Sequence, residues 1–466
     1  MKNILFTIQN GFSSRYIVRS GFIKLCSEKI DSTVYVSVPD KIDFINSMNN
    51  NDKQVVKIIQ QPRLLPQSFF KKNILSIINQ IQVFGMPRDP KFSALWVKKL
   101  LFKKNVHISY ALRIFILLMS HIHSKLFIIR KIFRIIVSNY QTDENFKKLL
   151  IELDINEIVL DGISSTIPDN TYWISAAKQL GIKTTIIITN WDHPTTRGYQ
   201  TIESDEYIVW GPSMKHEMTF YQDSPEKNIR EMGSIIFDYY HNNSFHKNIK
   251  HTLFPKGRSK TSYMLFITNS PYYPHNFSIM RFINNILPED IKLYVRLHPL
   301  YLTCGFEAEC AKFKDFDNKN DKVIIIYPKS QCRSLPGDMS YDEIQLSSVL
   351  LANSHLIIST MSTMVLDAII LNKKVVNISF DWVKKELIPL KMSLLQNRIH
   401  VKRAAVAKNI LHARSKSELK HMILNNLESK DYNYDHKARL KFPLVIQECG
   451  KIDGLVSKRI TKHLVT

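Results

Sequence analysis

Residues 355–378 read HLIISTMSTMVLDAIILNKKVVNI. A four-residue apolar strand (355–358) runs into a turn rich in hydroxyls (359–363), then a helix (363–371), then a second strand (374–378). That order is a βαβ unit, whose two strands lie parallel because the helix carries the chain back to the edge where it started.

The same alternation extends outward in both directions. Upstream lie strands at 263–268 (YMLFIT), 292–297 (KLYVRL) and 322–327 (KVIIIY), with helices near 277–286 and 341–352. An earlier series has strands at 4–8, 34–38 (VYVSV), 156–160 (NEIVL), 184–189 (TTIIIT) and 206–210 (EYIVW), with helices at 170–180, closed by Gly181, and 212–221. Residues 241–260 are polar and aperiodic and read as a linker. The sequence therefore predicts an α/β protein of two tandem Rossmann-like, doubly wound parallel-sheet domains. Residues 1–240 form the first, with a basic helical insert at 60–150. Residues 261–430 form the second, and 431–466 a C-terminal helical tail.

Composition agrees. The chain has 466 residues, 44% hydrophobic, with 64 Lys+Arg against 41 Asp+Glu for a net +23. Its five cysteines are scattered without a CxxC pair, which argues against a zinc ribbon or a disulfide scaffold and for a cytoplasmic protein. No run approaches the length of a spanning helix. The positive charge is concentrated: from Lys91 to Thr142 there are basic residues and no Asp or Glu. Such a field attracts phosphates. On a helix over 125–137, Arg130, Lys131 and Arg134 share one side and Leu126, Ile129, Phe133 and Ile136 another. That pattern suits a helix lying on the anionic inner face of the plasma membrane with its cations at the headgroups, or a core helix with a solvated basic edge. Nucleic acid is not the expected partner, since no zinc, RNP-like or helix-turn-helix pattern accompanies the charge.

In parallel α/β sheets, ligands sit beyond the carboxyl ends of the strands. Three features stand there in the second half. Arg296-Leu297-His298-Pro299 follows a strand, and an imidazole there can donate to a phosphate oxygen. Ser359, Thr360, Ser362 and Thr363 open a helix, where hydroxyls and free amides suit an anion as well as ordinary capping. Asp367, one turn later, could accept from a ribose diol or simply face solvent. In the first half, Asp161 and Asp192 follow strands and His193 adjoins the second. Each could be a general base, or merely shape a turn. Asp192 is preferred because Trp191, His193 and Arg197 surround it with a polar–aromatic cluster suited to a sugar. Arg15 and Arg19, at the first βα junction, could bind an anionic acceptor.

Two Rossmann-like domains with these elements resemble GT-B glycosyltransferases, and more closely the surface-polysaccharide enzymes of bacteria, including the CDP-glycerol glycerophosphotransferase-like and sialyl- or Kdo-transferring branches. The resemblance covers most of 155–380, not the insert. Asn190-Trp191-Asp192-His193-Pro194-Thr195-Thr196-Arg197-Gly198 is similar to an NWDN-x-TSKG-like segment of such transferases, and Val209-Trp210-Gly211 and Met232-Gly233…Phe237-Asp238 look like their interdomain landmarks. It implies that His298 and Pro299 with Ser359, Thr360, Ser362 and Thr363 hold the donor's phosphates, and that Asp367 binds ribose. The implied donor is a UDP-, CMP- or CDP-linked sugar, and the implied acceptor a lipid-linked glycan of lipopolysaccharide or capsule. No cofactor is expected, and without a DxD motif no metal. A glycerol- or ribitol-phosphate transferase, a nucleotide-sugar 2-epimerase and a basic nucleic-acid-binding protein are the alternatives.

Overall fold

A computed structural model describes residues 2–29, 33–48, 53, 55–88, 109–163, 169–241, 263–302, 305–317, 320–383, 391–427 and 441–465. The expected linker lies almost wholly outside them, as do the start of the C-terminal tail and part of the basic stretch.

Strands β1 (Asn3–Thr7), β2 (Val34–Val38), β3 (Lys57–Gln60), β4 (Ile155–Asp161), β5 (Lys183–Ile187), β6 (Glu206–Val209) and β7 (Ile229–Glu231) form one sheet. Its order is β3-β2-β1-β4-β5-β6-β7. Strands β8 (Tyr263–Ile267), β9 (Lys292–Arg296), β10 (Val323–Ile326), β11 (Leu356–Ser359), β12 (Val375–Ile378) and β13 (Ile410–Ala413) form the second, ordered β10-β9-β8-β11-β12-β13. Every adjacent pair in both is parallel. The order reverses direction at β1/β4 and again at β8/β11, the two places where such sheets open a crevice for a ligand. Sequence reading missed β3, β7 and β13. All are short and lie at or next to a sheet edge, where a few apolar residues suffice and no buried run marks them.

Of the two tail helices, Val456–Val465 packs on the first domain, while Pro443–Cys449 lies against the first domain's Pro212–Gln222 helix and the second domain's Met364–Ile370 helix. Thr461 Oγ1 meets Cys26 Sγ at 3.3 Å, and His463 Nε2 meets Glu206 Oε2 at 2.7 Å. At Gly450 (φ 74°) a Cβ would sit 2.0 Å from the Trp210 carbonyl oxygen, so the crossing requires glycine. Residues 441–465 are therefore a strap returning to the first domain.

The described part of the insert is helical as expected, with helices Phe69–Phe84, Tyr110–Lys125, Phe127–Tyr140 and Glu144–Glu152. Its expected polarity holds only in part: Lys131 is exposed and Ile129, Phe133 and Ile136 are half-buried, but the two arginines do not face outward. Arg130 and Arg134 are buried: Arg130 Nε donates to Asp223 Oδ2 at 2.5 Å, and Arg134 pairs with Glu203 and donates to the Gln222 carbonyl at 2.7 Å. The arginines thus face the first domain, and Phe127, Ile128, Ile132 and Ile135 are exposed instead. The partly covered carboxylates Asp223 and Glu203 draw the two guanidinium groups inward, where each also donates to backbone carbonyls.

Candidate functional site

The site begins at the carboxyl end of β8. The next residue, Thr268, accepts on Oγ1 from the His298 backbone N–H at 2.9 Å. The Ser359 hydroxyl, at the end of β11, reaches the Ile267 carbonyl at 3.4 Å and the Thr360 carbonyl at 2.9 Å. Since β9 and β11 flank β8 in a parallel sheet, the 296–299 loop and the 359–363 turn stand on the same edge, tied to consecutive residues.

The His298 ring has a defined tautomer. Its Nδ1 accepts from the Leu300 N–H at 3.2 Å, so the ring proton lies on Nε2, a donor. Burial, and then the Arg15 charge, press its pKa down to about 4. Pro299 starts the short 3-10 turn Pro299–Leu302. Arg296 goes elsewhere: β9 ends at that residue, and the guanidinium is buried against Glu343 Oε2 at 2.7 Å and Met339. Its Nη1 is buried without a partner, and its charge is among those that bear on Arg15.

Around the hydroxyl turn, ordinary capping is not what the side chains do. The helix Met364–Ile370 starts without a side-chain cap bond. Ser362 Oγ is buried with no hydrogen-bond partner, while Thr363 Oγ1 crosses to Asn190 Oδ1 in the first domain at 3.1 Å. Thr360 is buried beside them. Asp367 accepts from the Tyr240 hydroxyl at 2.6 Å, and burial raises its pKa to about 6 against the pull of that bond and of Arg15.

Arg15 comes from the first domain but acts on the second. Burial lowers its pKa, and Asp367, Tyr239, Arg296 and Asp338 are its charged surroundings. Its Nε is buried without a partner, a cation held in reserve next to His298 and Asp367. Arg19 is fully engaged: it donates to Asp338 Oδ1 at 3.2 Å and Oδ2 at 2.6 Å, and to the Ser47 carbonyl at 3.0 Å. It pins the 330–339 loop to the first domain instead of awaiting an acceptor. At Gly11 the contact is so close that a Cβ would lie 2.0 Å from the Asp338 backbone nitrogen.

Asp161 sits at the end of β4, at the first sheet's reversal, wholly buried. Its Oδ2 accepts from the Gln9 N–H at 3.3 Å, while Oδ1 has no partner. Burial carries its pKa to about 7. Asp192 differs. Burial works to raise its carboxyl, but Arg197, His193, His400 and Arg398 together drive it well below the usual carboxylate range. It accepts from Thr196 Oγ1 at 2.7 Å and lies 3.9 Å from Arg197. His193 is buried, with its pKa lowered to about 4 by desolvation.

Trp191 does not offer a face to a sugar. It is buried, edge-on to His400 with centroids 4.7 Å apart, and its Nε1 donates to Glu448 Oε2 at 2.9 Å. Glu448 also accepts from Ser213 Oγ at 2.7 Å and from Arg403 Nε at 2.6 Å, and Arg403 pairs with Glu217 at 2.7 Å. Sequence reading missed Glu448, Arg403, Glu217, His400, Asp338 and Tyr240. None lies in a motif, and each meets its partners across long stretches of chain. Among the described residues no three His, Cys, Asp or Glu side chains converge as metal ligands would.

No family model matches the sequence, and no curated protein matches it. Solved structures do match by fold. The UDP-GlcNAc 2-epimerase of Methanocaldococcus jannaschii is 14% identical, with 100% of this chain and 99% of that one covered at a TM-score of 0.51. The Neisseria meningitidis UDP-GlcNAc 2-epimerase bound to UDP-GlcNAc is 11% identical, with 99% of each chain covered at 0.50. The S. aureus MnaA–UDP co-structure is 10% identical, with coverage of 100% and 96% at 0.50. Over almost its whole length the chain is similar in fold to these proteins, and its two parallel sheets form the two-domain GT-B arrangement.

Proposed function

We propose that this chain is a glycosyltransferase that moves a sugar from a nucleotide-activated donor to a hydroxyl of a lipid-linked surface glycan. One observation carries the donor half of this reading. A neutral imidazole donor (His298), an unpartnered buried hydroxyl (Ser362) and an unpaired buried guanidinium nitrogen (Arg15) gather at the end of β8. Groups left unsatisfied in a protein interior are costly, and a phosphate ester supplies acceptor oxygens for Ser362 and Arg15 and a further one for the His298 Nε2–H. Asp367, already holding the Tyr240 hydroxyl, is placed for the ribose.

Transfer breaks the bond between the sugar carbon and the donor phosphate and forms one to the acceptor oxygen, whose proton goes to a base. Arg15, His298 and Ser362 would meet the charge growing on the departing phosphate. Of the base candidates, Asp161 has the fitting basicity, near 7, and a free oxygen. Asp192, held strongly ionised by Arg197 and its other basic neighbours, is the weaker proton acceptor and serves better as a fixed anion. The preference drawn from sequence is thereby exchanged.

Acceptor-free epimerisation of a nucleotide sugar is the second reading. It is favoured by one observation: Arg15, Arg19 and Trp191, three of the four residues set aside for an acceptor, are buried or engaged within the protein. The test is a thermal-shift screen with UDP, CMP, CDP, GDP and TDP, followed by turnover with the responding nucleotide's sugars. Nucleotide release that requires an added glycan supports transfer. Isomerised nucleotide sugar without acceptor supports the epimerase. No shift with any of the five refutes both.

A further inference from the structure

The cleft leaves the outer face of the insert unused. Along Tyr110–Lys125 the residues Ile114, Phe115 and Leu118 are exposed, and the chain then turns through 114° into Phe127–Tyr140. At the elbow Lys125, Leu126, Phe127 and Ile128 are all exposed, and Ile132 and Ile135 continue the apolar row. Ile128 is 61% and Ile135 59% exposed, values at which an isoleucine contributes little to a core. Contiguous apolar surface of this kind marks an interaction site.

Charge selects the occupant. Lys125 and Lys131 flank the elbow, the Lys131 ammonium lying 5.0 Å from the Phe127 ring centroid. Residues 55–88 and 109–142 contain no Asp or Glu at all. The two arginines of the same helix are turned inward onto Asp223 and Glu203, so the outward cations are lysines on long, adaptable stems. A second copy of the chain would set lysine against lysine. A sheet of phosphates over an apolar interior complements both features at once. Among the described residues no single helix is long and apolar enough to cross a membrane.

We propose that the elbow of the insert is a wedge that docks on an anionic lipid bilayer, with Leu126, Phe127, Ile128, Ile132 and Ile135 in the acyl boundary and Lys125 and Lys131 at the phosphates. This inference rests on the insert and not on the nucleotide reading. It replaces the sequence-derived mode in which Arg130 and Arg134 met the headgroups.

Flotation of the full chain with phosphatidylcholine vesicles, with and without phosphatidylglycerol, tests it. The chain floats with the anionic vesicles at low salt and is largely released at high salt. The variant I128D/I135D stays at the bottom, while its melting temperature and nucleotide-induced shift match the parent's. K125Q/K131Q binds about thirtyfold more weakly at low salt. A parent chain that ignores anionic vesicles, or an I128D/I135D variant that floats like it, overturns the proposal. So does a parent dimer in light scattering that the variant dissolves, since the occupant is then a second copy. A missing nucleotide shift with flotation intact removes the transferase reading and leaves this one standing.

Discussion

Replacing His298 by alanine separates what the loop does from what the ring does. The bond from the 298 backbone N–H to Thr268 Oγ1, 2.9 Å long, survives the change, so the loop keeps its anchor. What disappears is the Nε2–H donor and the Nδ1 acceptor of the Leu300 N–H. A hydrogen bond from a neutral donor to a charged phosphate contributes about 1.5–3 kcal/mol, which makes the variant's Kd about tenfold to about 150-fold larger. The pH dependence sharpens the test. Burial and Arg15 hold the imidazole pKa at about 4, so the ring is neutral across the physiological range. The ratio of variant to parent Kd, measured by isothermal titration, stays flat between about pH 6 and about pH 8. The same lowered pKa sets the sign for stability: the contribution is intact above the unfolded value near 6.5 and is lost as pH falls toward 4, where the unfolded chain takes up the proton first. Equal affinity in the two proteins to within roughly twofold would refute the donor role. A ratio that declines as pH rises through about 6.5 would show that the ring binds as a cation.

Three further outcomes follow from the buried groups. Asp161→Asn lowers turnover by about 10²–10⁴-fold and abolishes the rise in rate with pH through about 7, whereas Asp192→Asn keeps that rise; a pH–rate profile on both variants decides. Because the Asp161 carboxyl is raised from its ordinary value to about 7, its stabilising contribution is complete below the unfolded pKa and fades as pH climbs to 7. The melting temperature of Asp161→Asn relative to the parent therefore improves over that window, and calorimetry showing the opposite trend contradicts the assignment. Glu448→Ala strands Trp191 Nε1, Ser213 Oγ and part of Arg403 in the interior; at about 3–5 kcal/mol for breaking a buried pair, its Tm falls by roughly 5–10 °C, and Glu448→Gln loses less.

Much of this molecule was legible locally. Runs such as VYVSV and HLII are satisfied between other strands, and the helices between them carry one apolar face, so two parallel sheets follow from short-range pattern. The placement of His298 and of the 359–363 turn followed too, because in parallel sheets every strand's carboxyl end points to one edge. The edge strand Lys57–Gln60 was not legible, since one flank has no neighbour and its four residues carry no buried run. Trp191 was misjudged because nothing near it in sequence announces Glu448, its partner 257 residues away.

By itself, then, the sequence determined the class of fold, the edge of each sheet to which the strands' carboxyl ends point, and the presence of a strongly cationic helical stretch. Only the tertiary structure decided which way side chains turn. It sent Arg130 and Arg134 inward to Asp223 and Glu203, Arg15 across to His298 and Asp367 of the other domain, and Arg19 into a clamp on Asp338. The physical reason is the same in each case. Periodicity reports what a residue's own helix or strand can bury, while the direction of a charge depends on counter-charges that folding brings from distant parts of the chain.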